Sequence, residues 1–165
     1  MRAAAATRHL VAQGHRRIAY LGDLRRLTTA RDRHRGYLRA LGGRAGPEAH
    51  DLRDAAAAER ATIAMLRSHD PPTAIFAARH VITIGAMRAL RRLGRQHRIA
   101  LVGFDDFPLA DLLDPAVTVV AQDPARMGRM AATTLFECID GDKGPPREIR
   151  IPTTLIRRGS GEIPI

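Results

Sequence analysis

The sequence predicts an α/β fold built on a parallel, doubly wound sheet, and three observations carry that expectation. Short, unbroken apolar runs at 18–21, 73–78 and 99–103 have the pattern of strands buried on both faces. Segments with apolar residues at helical spacing separate these runs, joined by short connections, as in βαβ units. Polar residues cluster just after each run, at the carboxyl ends of the expected strands, where open α/β sheets bind ligands.

Taken in order, residues 3–13 form an Ala-rich helix with Ala3, Ala6 and Leu10 on one face, stopped by Gly14. A buried strand over 18–21 follows and ends at Gly22–Asp23. The segment 24–30 reads as a loop in which Thr28 or Thr29 caps a helix over 31–41, with Tyr37, Leu38 and Leu41 inward and Gly42–Gly43 as its stop. A short strand is expected near 50–53. Asp54 then caps a helix over 55–68, which the DPP at 70–72 ends.

The next strand covers 73–78, and a helix over 81–93 carries Ile82, Ala86, Ala89, Leu90 and Leu93 to its stop at Gly94. The central strand, RIALVGFDD at 98–106, runs directly into Asp105 and Asp106. A loop over 107–117 and a β-branched run at 117–120 lead to Gln122. Asp123–Pro124 starts a helix to about 140. Met127, Ala131, Thr134, Leu135 and Cys138 are expected inward on that helix. DGDKGPP reads as a turn, 148–157 as a last extended stretch, and SGEIPI as a tail.

Composition narrows the function. The 165 residues make one domain's worth of chain, 45% hydrophobic and 27% charged. No run of 18 apolar residues is present and none of the N-terminal residues resembles a secretory leader, so a cytoplasmic protein with no membrane segment is expected. A single cysteine, Cys138, permits no internal disulfide. The net charge of +10 comes from arginines spread along the chain, Lys143 being the sole lysine among 27 basic residues. They read as solvated helix faces, a nucleic-acid patch being the other reading. The six aromatic residues are not interleaved with the Arg clusters, which argues against a single-strand stacking platform.

Motifs for catalysis or cofactors are missing. GxGxxG, GxxxxGK[ST], GxSxG and HExxH do not occur, and none of the seven histidines pairs with Cys or another His at a metal-ligand spacing. No enzyme activity, metal or cofactor is predicted. What remains are polar groups at the expected strand ends: Asp23, Arg79 and His80, Asp105 and Asp106, and Gln122, with Arg31 at the start of a helix. Arginines and carboxylates offer paired hydrogen bonds in fixed geometry, suited to a polyhydroxylated or planar polar ligand. Each of these residues has an alternative use as a helix cap or surface ion pair, and for Asp123 the cap is the reading adopted.

The segments AAATRHLVAQGHRRIAYLGD (4–23), ARDRHRGYLRAL (30–41), PTAIFA (72–77), IGAMRALRRLG (84–94), IALVGFDD (99–106), VTVVAQDP (117–124) and MGRMAATTLFECIDG (127–141) together resemble the LacI/GalR family of bacterial transcription regulators. The resemblance implies a periplasmic-binding-protein-like effector domain: two α/β subdomains with a small effector between them. It covers the second half of such a regulator, so residues 1–165 would form the C-terminal subdomain, with 118–148 an excursion toward the other subdomain. The helix-turn-helix, the hinge helix and most of the first subdomain have no counterpart.

Carried over by residue, the family's effector contacts fall on Arg31, Asp105 and Gln122. At Arg79 and His80 the family usually has Asn-Asp, so two bases replace an amide and an acid, which implies either an anionic effector or loss of binding. The effector would be a sugar, a nucleobase or an anionic metabolite. A homodimer, and DNA contact only through a helix-turn-helix outside this sequence, are also implied. The helix over 124–141 would expose its apolar stripe, and either pack on another chain or lack order. A periplasmic-type solute-binding protein is the alternative reading, and a small α/β enzyme using Asp105 is a third.

Overall fold

A computed structural model describes residues 3–141, 144–145 and 147–165. Its helices are α1 (Ala3–Ala12), α2 (Thr28–Ala40), α3 (Ala55–Leu66), α4 (His80–Arg92) and α5 (Pro124–Ile139). Its strands are β1 (Ile18–Leu21), β2 (Glu48–Ala49), β3 (Ala74–Ala77), β4 (Ala100–Phe104), β5 (Thr118–Ala121) and β6 (Thr154–Ile156). They form one sheet in the order β2-β1-β3-β4-β5-β6.

Period-2 alternation divides the strand side chains between two cores. On one face Ile18, Tyr20, Phe76 and Val102 pack with Ala6 and Leu10 of α1 and Tyr37 of α2. On the other, Ala19, Leu21, Ile75 and Leu101 pack with Ala58 and Leu66 of α3 and Ile82, Ala86 and Leu90 of α4. Burial on both faces explains why β1, β3 and β4 are continuous apolar runs, since neither side of the pleat meets water. The doubly wound expectation is met.

Five strands are parallel, whereas β6 runs antiparallel to β5, with Val120 opposite Leu155. The sheet is thus mostly parallel, as expected, with one antiparallel edge strand. Doubly wound sheets often carry such a strand, and here β6 pairs that way after the chain has passed through α5. Of the extended stretch expected at 148–157, only 154–156 pairs as strand. Nor is SGEIPI a loose tail. Ser160 is buried, with Oγ donating to Leu101 O at 2.6 Å and accepting from Thr118 N at 2.9 Å, and its carbonyl accepts from Leu101 N at 2.8 Å. Those bonds stitch the final segment to β4 and β5.

Local signals fare differently from site to site. Asp54 and Asp123 cap α3 and α5 as expected, their carboxylates each accepting at 2.8 Å, from Ala57 N and Arg126 N. In α2 the expected threonine cap is replaced by Leu27, which has no side-chain cap bond, and both Thr28 and Thr29 lie inside the helix. Thr28 Oγ1 instead accepts from Arg31 at 3.2 Å. The strand expected near 50–53 is displaced to Glu48–Ala49, and Asp51, at φ 58°, turns the chain out of the sheet. The turn expected at DGDKGPP includes positions 142, 143 and 146, outside the described residues.

The largest departure is α5. None of its residues is buried, so the inward assignment of Met127, Ala131, Thr134, Leu135 and Cys138 is wrong for this chain. Phe136 and Ile139 are 62% and 67% exposed. The helix forms where its pattern predicts one, but among the described residues the six strands and four other helices supply no surface that buries it. Among the described residues no helix is long and apolar enough to cross a membrane.

Candidate functional site

The strand order reverses between β1 and β3, which lie side by side although β2 intervenes in sequence. At such a switch point the loops leaving adjacent strands diverge to opposite faces and open a crevice at the carboxyl ends. Asp23 follows β1 and Arg79 follows β3, and the two meet there. Arg79 Nη1 donates to both Asp23 oxygens at 3.1 Å, while its Nη2 donates to Arg53 O at 2.7 Å. Asp23 also accepts from Leu24 N at 2.8 Å. The positive charge of Arg79 is thus neutralised within the protein. His80, the next residue, opens α4 and is exposed.

A second constellation forms beyond β4 and β5. Gln122 Nε2 donates to Asp105 Oδ1, and Asp105, at φ 70°, leaves the strand in the left-handed region. Residues other than glycine adopt that region only at local cost, a strain common at ligand sites. Arg33, from α2, completes the group. Its guanidinium stacks 4.0 Å above the Phe104 ring, donates to Ala78 O at 2.7 Å and lies 3.7 Å from Asp105 Oδ1. Burial pulls the Arg33 pKa below its ordinary value, against the opposing attraction of Asp105. Asp106 plays no part here. It holds Arg158 through two bonds of 2.7 and 2.8 Å, and the Arg158 guanidinium keeps its carboxyl below the usual range.

Two cavities flank α2. One, about 550 Å³, is lined by Tyr20, Asp23, Arg31, His34 and His50 among others. The other, about 450 Å³, is lined by Arg33, Phe104, Gln122 and Arg150 among others. Of the residues singled out in the sequence, Asp23 and Arg31 therefore line the first cavity and Gln122 the second. Asp105 and Gln122 are brought together, Arg79 is paired with Asp23, and His80 joins neither group.

Sequence reasoning missed Arg33 and a cluster beside the first cavity. Glu48 Oε2 lies 3.0 Å from His34 Nε2 and 2.9 Å from His50 Nε2. Tyr20 packs against both imidazoles, at centroid distances of 5.0 and 5.5 Å. Burial raises the Glu48 carboxyl pKa, but hydrogen bonds and charge from His50 and His34 outweigh it and leave the pKa below its ordinary value. Burial drives the Tyr20 hydroxyl pKa far up, so it stays neutral. The signal for the cluster was faint: Glu48 and His50 are two apart, but the strand was expected further on, and His34 belongs to another element.

The arrangement can do two things chemically. It offers fixed, paired hydrogen-bonding groups at strand ends, and it offers cavities of a size suited to a small polar molecule.

Comparison with known proteins agrees with this fold. A family profile described as "Periplasmic binding protein-like domain" matches residues 7–161. The chain is 31% identical over 166 residues to the HTH-type transcriptional regulator MalR of Streptomyces coelicolor, covering 94% of this chain and 48% of that protein. It is 30% identical over 163 residues to the ribose operon repressor of Halalkalibacterium halodurans, covering 93% and 47%. The chain thus spans about half the length of these curated relatives. Among solved structures it superposes on a dimeric Lac repressor with a TM-score of 0.86 at 28% identity, covering 98% of this chain and 61% of that one.

Proposed function

The chain belongs to the periplasmic binding protein-like domain family and, within it, to the LacI/GalR-type regulators, and from that membership we propose that it is the effector-sensing part of such a regulator. Residues 1–165 form its C-terminal subdomain, and 118–148 reach toward a companion subdomain elsewhere in a longer protein. The observation that carries this reading is the gathering of Asp23, Arg79, Asp105 and Gln122 at the carboxyl ends of four neighbouring parallel strands.

A small polar effector enters the cavity beside Arg31, whose guanidinium is exposed and donates to Thr28 Oγ1. Asp105 and Gln122, bonded to each other, present a second set of contacts beside the other cavity along α2. Arg79 and Asp23 act at one remove, fixing the loops after β1 and β3, because their mutual bonds already use most of their capacity. His80 is the weakest of the proposed contacts. Effector binding favours closure of the two subdomains, and that shift in population is relayed to DNA-binding heads of the longer protein. The exposed face of α5 supports the excursion, since it is apolar without a partner here. A cytoplasmic, homodimeric regulator is the corresponding assembly. The solute-binding alternative is set aside because MalR and the ribose operon repressor, which the chain resembles, are named as regulators.

A thermal-shift screen of the chain against sugars, phosphosugars, nucleobases and carboxylates tests the site. One class should raise the melting temperature, since a ligand at 100 times its Kd stabilises by about 2.7 kcal/mol. Arg31→Ala should cancel that shift. A hit whose shift survives Arg31→Ala places the effector elsewhere and overturns the assignment.

A further inference from the structure

We propose that His34, Glu48 and His50 form a binding site for a divalent transition-metal ion of the zinc type. The inference is independent of the effector reading and rests on how three residues from different places converge. Glu48 and His50 are two apart on β2 and its continuation, so the pleat sends both side chains to the same side. His34 comes from the facing turn of α2. One donor atom from each residue lies within 4.8 Å of the other two, a spread compatible with a single ion at ordinary Zn–N and Zn–O distances.

The donor set selects the metal. Two imidazoles and one carboxylate suit zinc and its neighbours, whereas calcium and magnesium require oxygen ligands. Two-His-one-carboxylate sites characteristically leave a coordination position open. Here His34 and His50 line the cavity, together with Arg31 and Arg35. Water or an anion from the cavity, not a fourth protein donor, would complete the coordination.

A purely hydrogen-bonded triad accounts for less of the geometry. Both imidazole Nε2 atoms are directed at the same oxygen, Oε2, while Glu48 Oε1 is buried without a hydrogen-bond partner among the described residues. Buried carboxylate oxygens ordinarily find a donor, and a cation shared with the imidazoles would satisfy this one. The rings are also held in advance. Tyr20 packs on both, the two imidazoles meet edge to face at 4.8 Å, and a Cβ at Gly22 would fall 3.1 Å from His50 Nδ1. Pre-set ligands lose little freedom when an ion arrives.

Titrating Co²⁺ into the tag-free, chelator-treated chain at neutral pH tests the proposal through the visible d–d absorption of the bound ion. One equivalent should saturate the band and Zn²⁺ should displace it. The double variant His34→Ala/His50→Ala should abolish the band, and Glu48→Gln, which keeps the side chain's size, should weaken binding at least about tenfold. His69→Ala, at an exposed histidine far along the chain, should bind as the parent does. Circular dichroism checks each fold. If the double variant does not fold, Glu48→Gln decides alone. Absence of a saturable band, or an undiminished band in whichever folded variant is tested, overturns the site and leaves a hydrogen-bonded triad.

Discussion

Arg79 grips both carboxylate oxygens of Asp23 at 3.1 Å, joining the loop after β1 to the start of α4 across 56 residues of sequence. The Asp23 side chain is 6% exposed and that of Arg79 27%. A charge so enclosed depends on its partner, because removing one member leaves the other desolvated and uncompensated.

Arg79→Met should accordingly destabilise the chain by about 3 kcal/mol, toward the lower end for a buried pair because Arg79 is partly exposed. Asp23→Asn placed on the Arg79→Met background should recover part of that loss. Urea unfolding of the two single variants, the double variant and the parent supplies the cycle. A double variant that is less stable than Arg79→Met contradicts the account.

His15 supplies the pH dependence. Its ring is fully buried, with Nε2 2.9 Å from Ile163 O and Nδ1 2.9 Å from Thr73 Oγ1. A carbonyl only accepts, so Nε2 carries the proton and Nδ1 receives the threonine hydroxyl in the neutral ring. Burial lowers the pKa below 6.5, against a raising contribution from the Ile163 carbonyl. Below 6.5 the unfolded chain therefore binds a proton that the folded chain resists. The contribution is fully present above 6.5 and is lost as pH falls from there to the lowered folded value. Unfolding free energies measured at successive pH values through that window should decline, and His15→Gln should flatten the decline while lowering stability at pH 7. An unchanged slope in His15→Gln would assign the effect to other groups.

Two glycines should respond in opposite directions. A Cβ at Gly85 of α4 would lie 2.3 Å from Ala55 O and 2.6 Å from Ala58 Cβ, so Gly85→Ala must push α4 off α3, at about 1–3 kcal/mol. At Gly128 in α5 a Cβ meets nothing within 4 Å, and Gly128→Ala should gain about 0.5–1 kcal/mol of helix stability. Thermal melts of the two variants should move to opposite sides of the parent.

Much of this architecture was legible because it is local. Runs buried on both faces announced β1, β3 and β4, and Asp54 and Asp123 marked helix starts through bonds to residues three positions away. What the residue pattern hid depends on partners remote in sequence. Ser160 is structural because of Leu101 and Thr118, and Arg33 matters because Phe104 and Ala78 lie beneath it. Cys138 illustrates the reverse failure. Its helical stripe is real, yet a stripe says only that one face is apolar, not that this chain supplies a cover. Of the candidate site, the strand-end residues were found by position alone, while the pairing of Arg79 with Asp23 needed three dimensions.

The buried aromatic cluster also decides how the molecule can be watched. The chain has no tryptophan and two tyrosines, so its ultraviolet emission comes from Tyr20 and Tyr37, whose rings lie 5.0 Å apart. Tyr20 borders the cavity and touches His34 and His50, while Tyr37 is anchored by donating to Ile18 O at 2.8 Å. An occupant of that cavity alters the surroundings of Tyr20 directly and reaches Tyr37 only through His34 and Tyr20. The protein therefore carries its own unlabelled optical reporter, placed where a guest would first be felt.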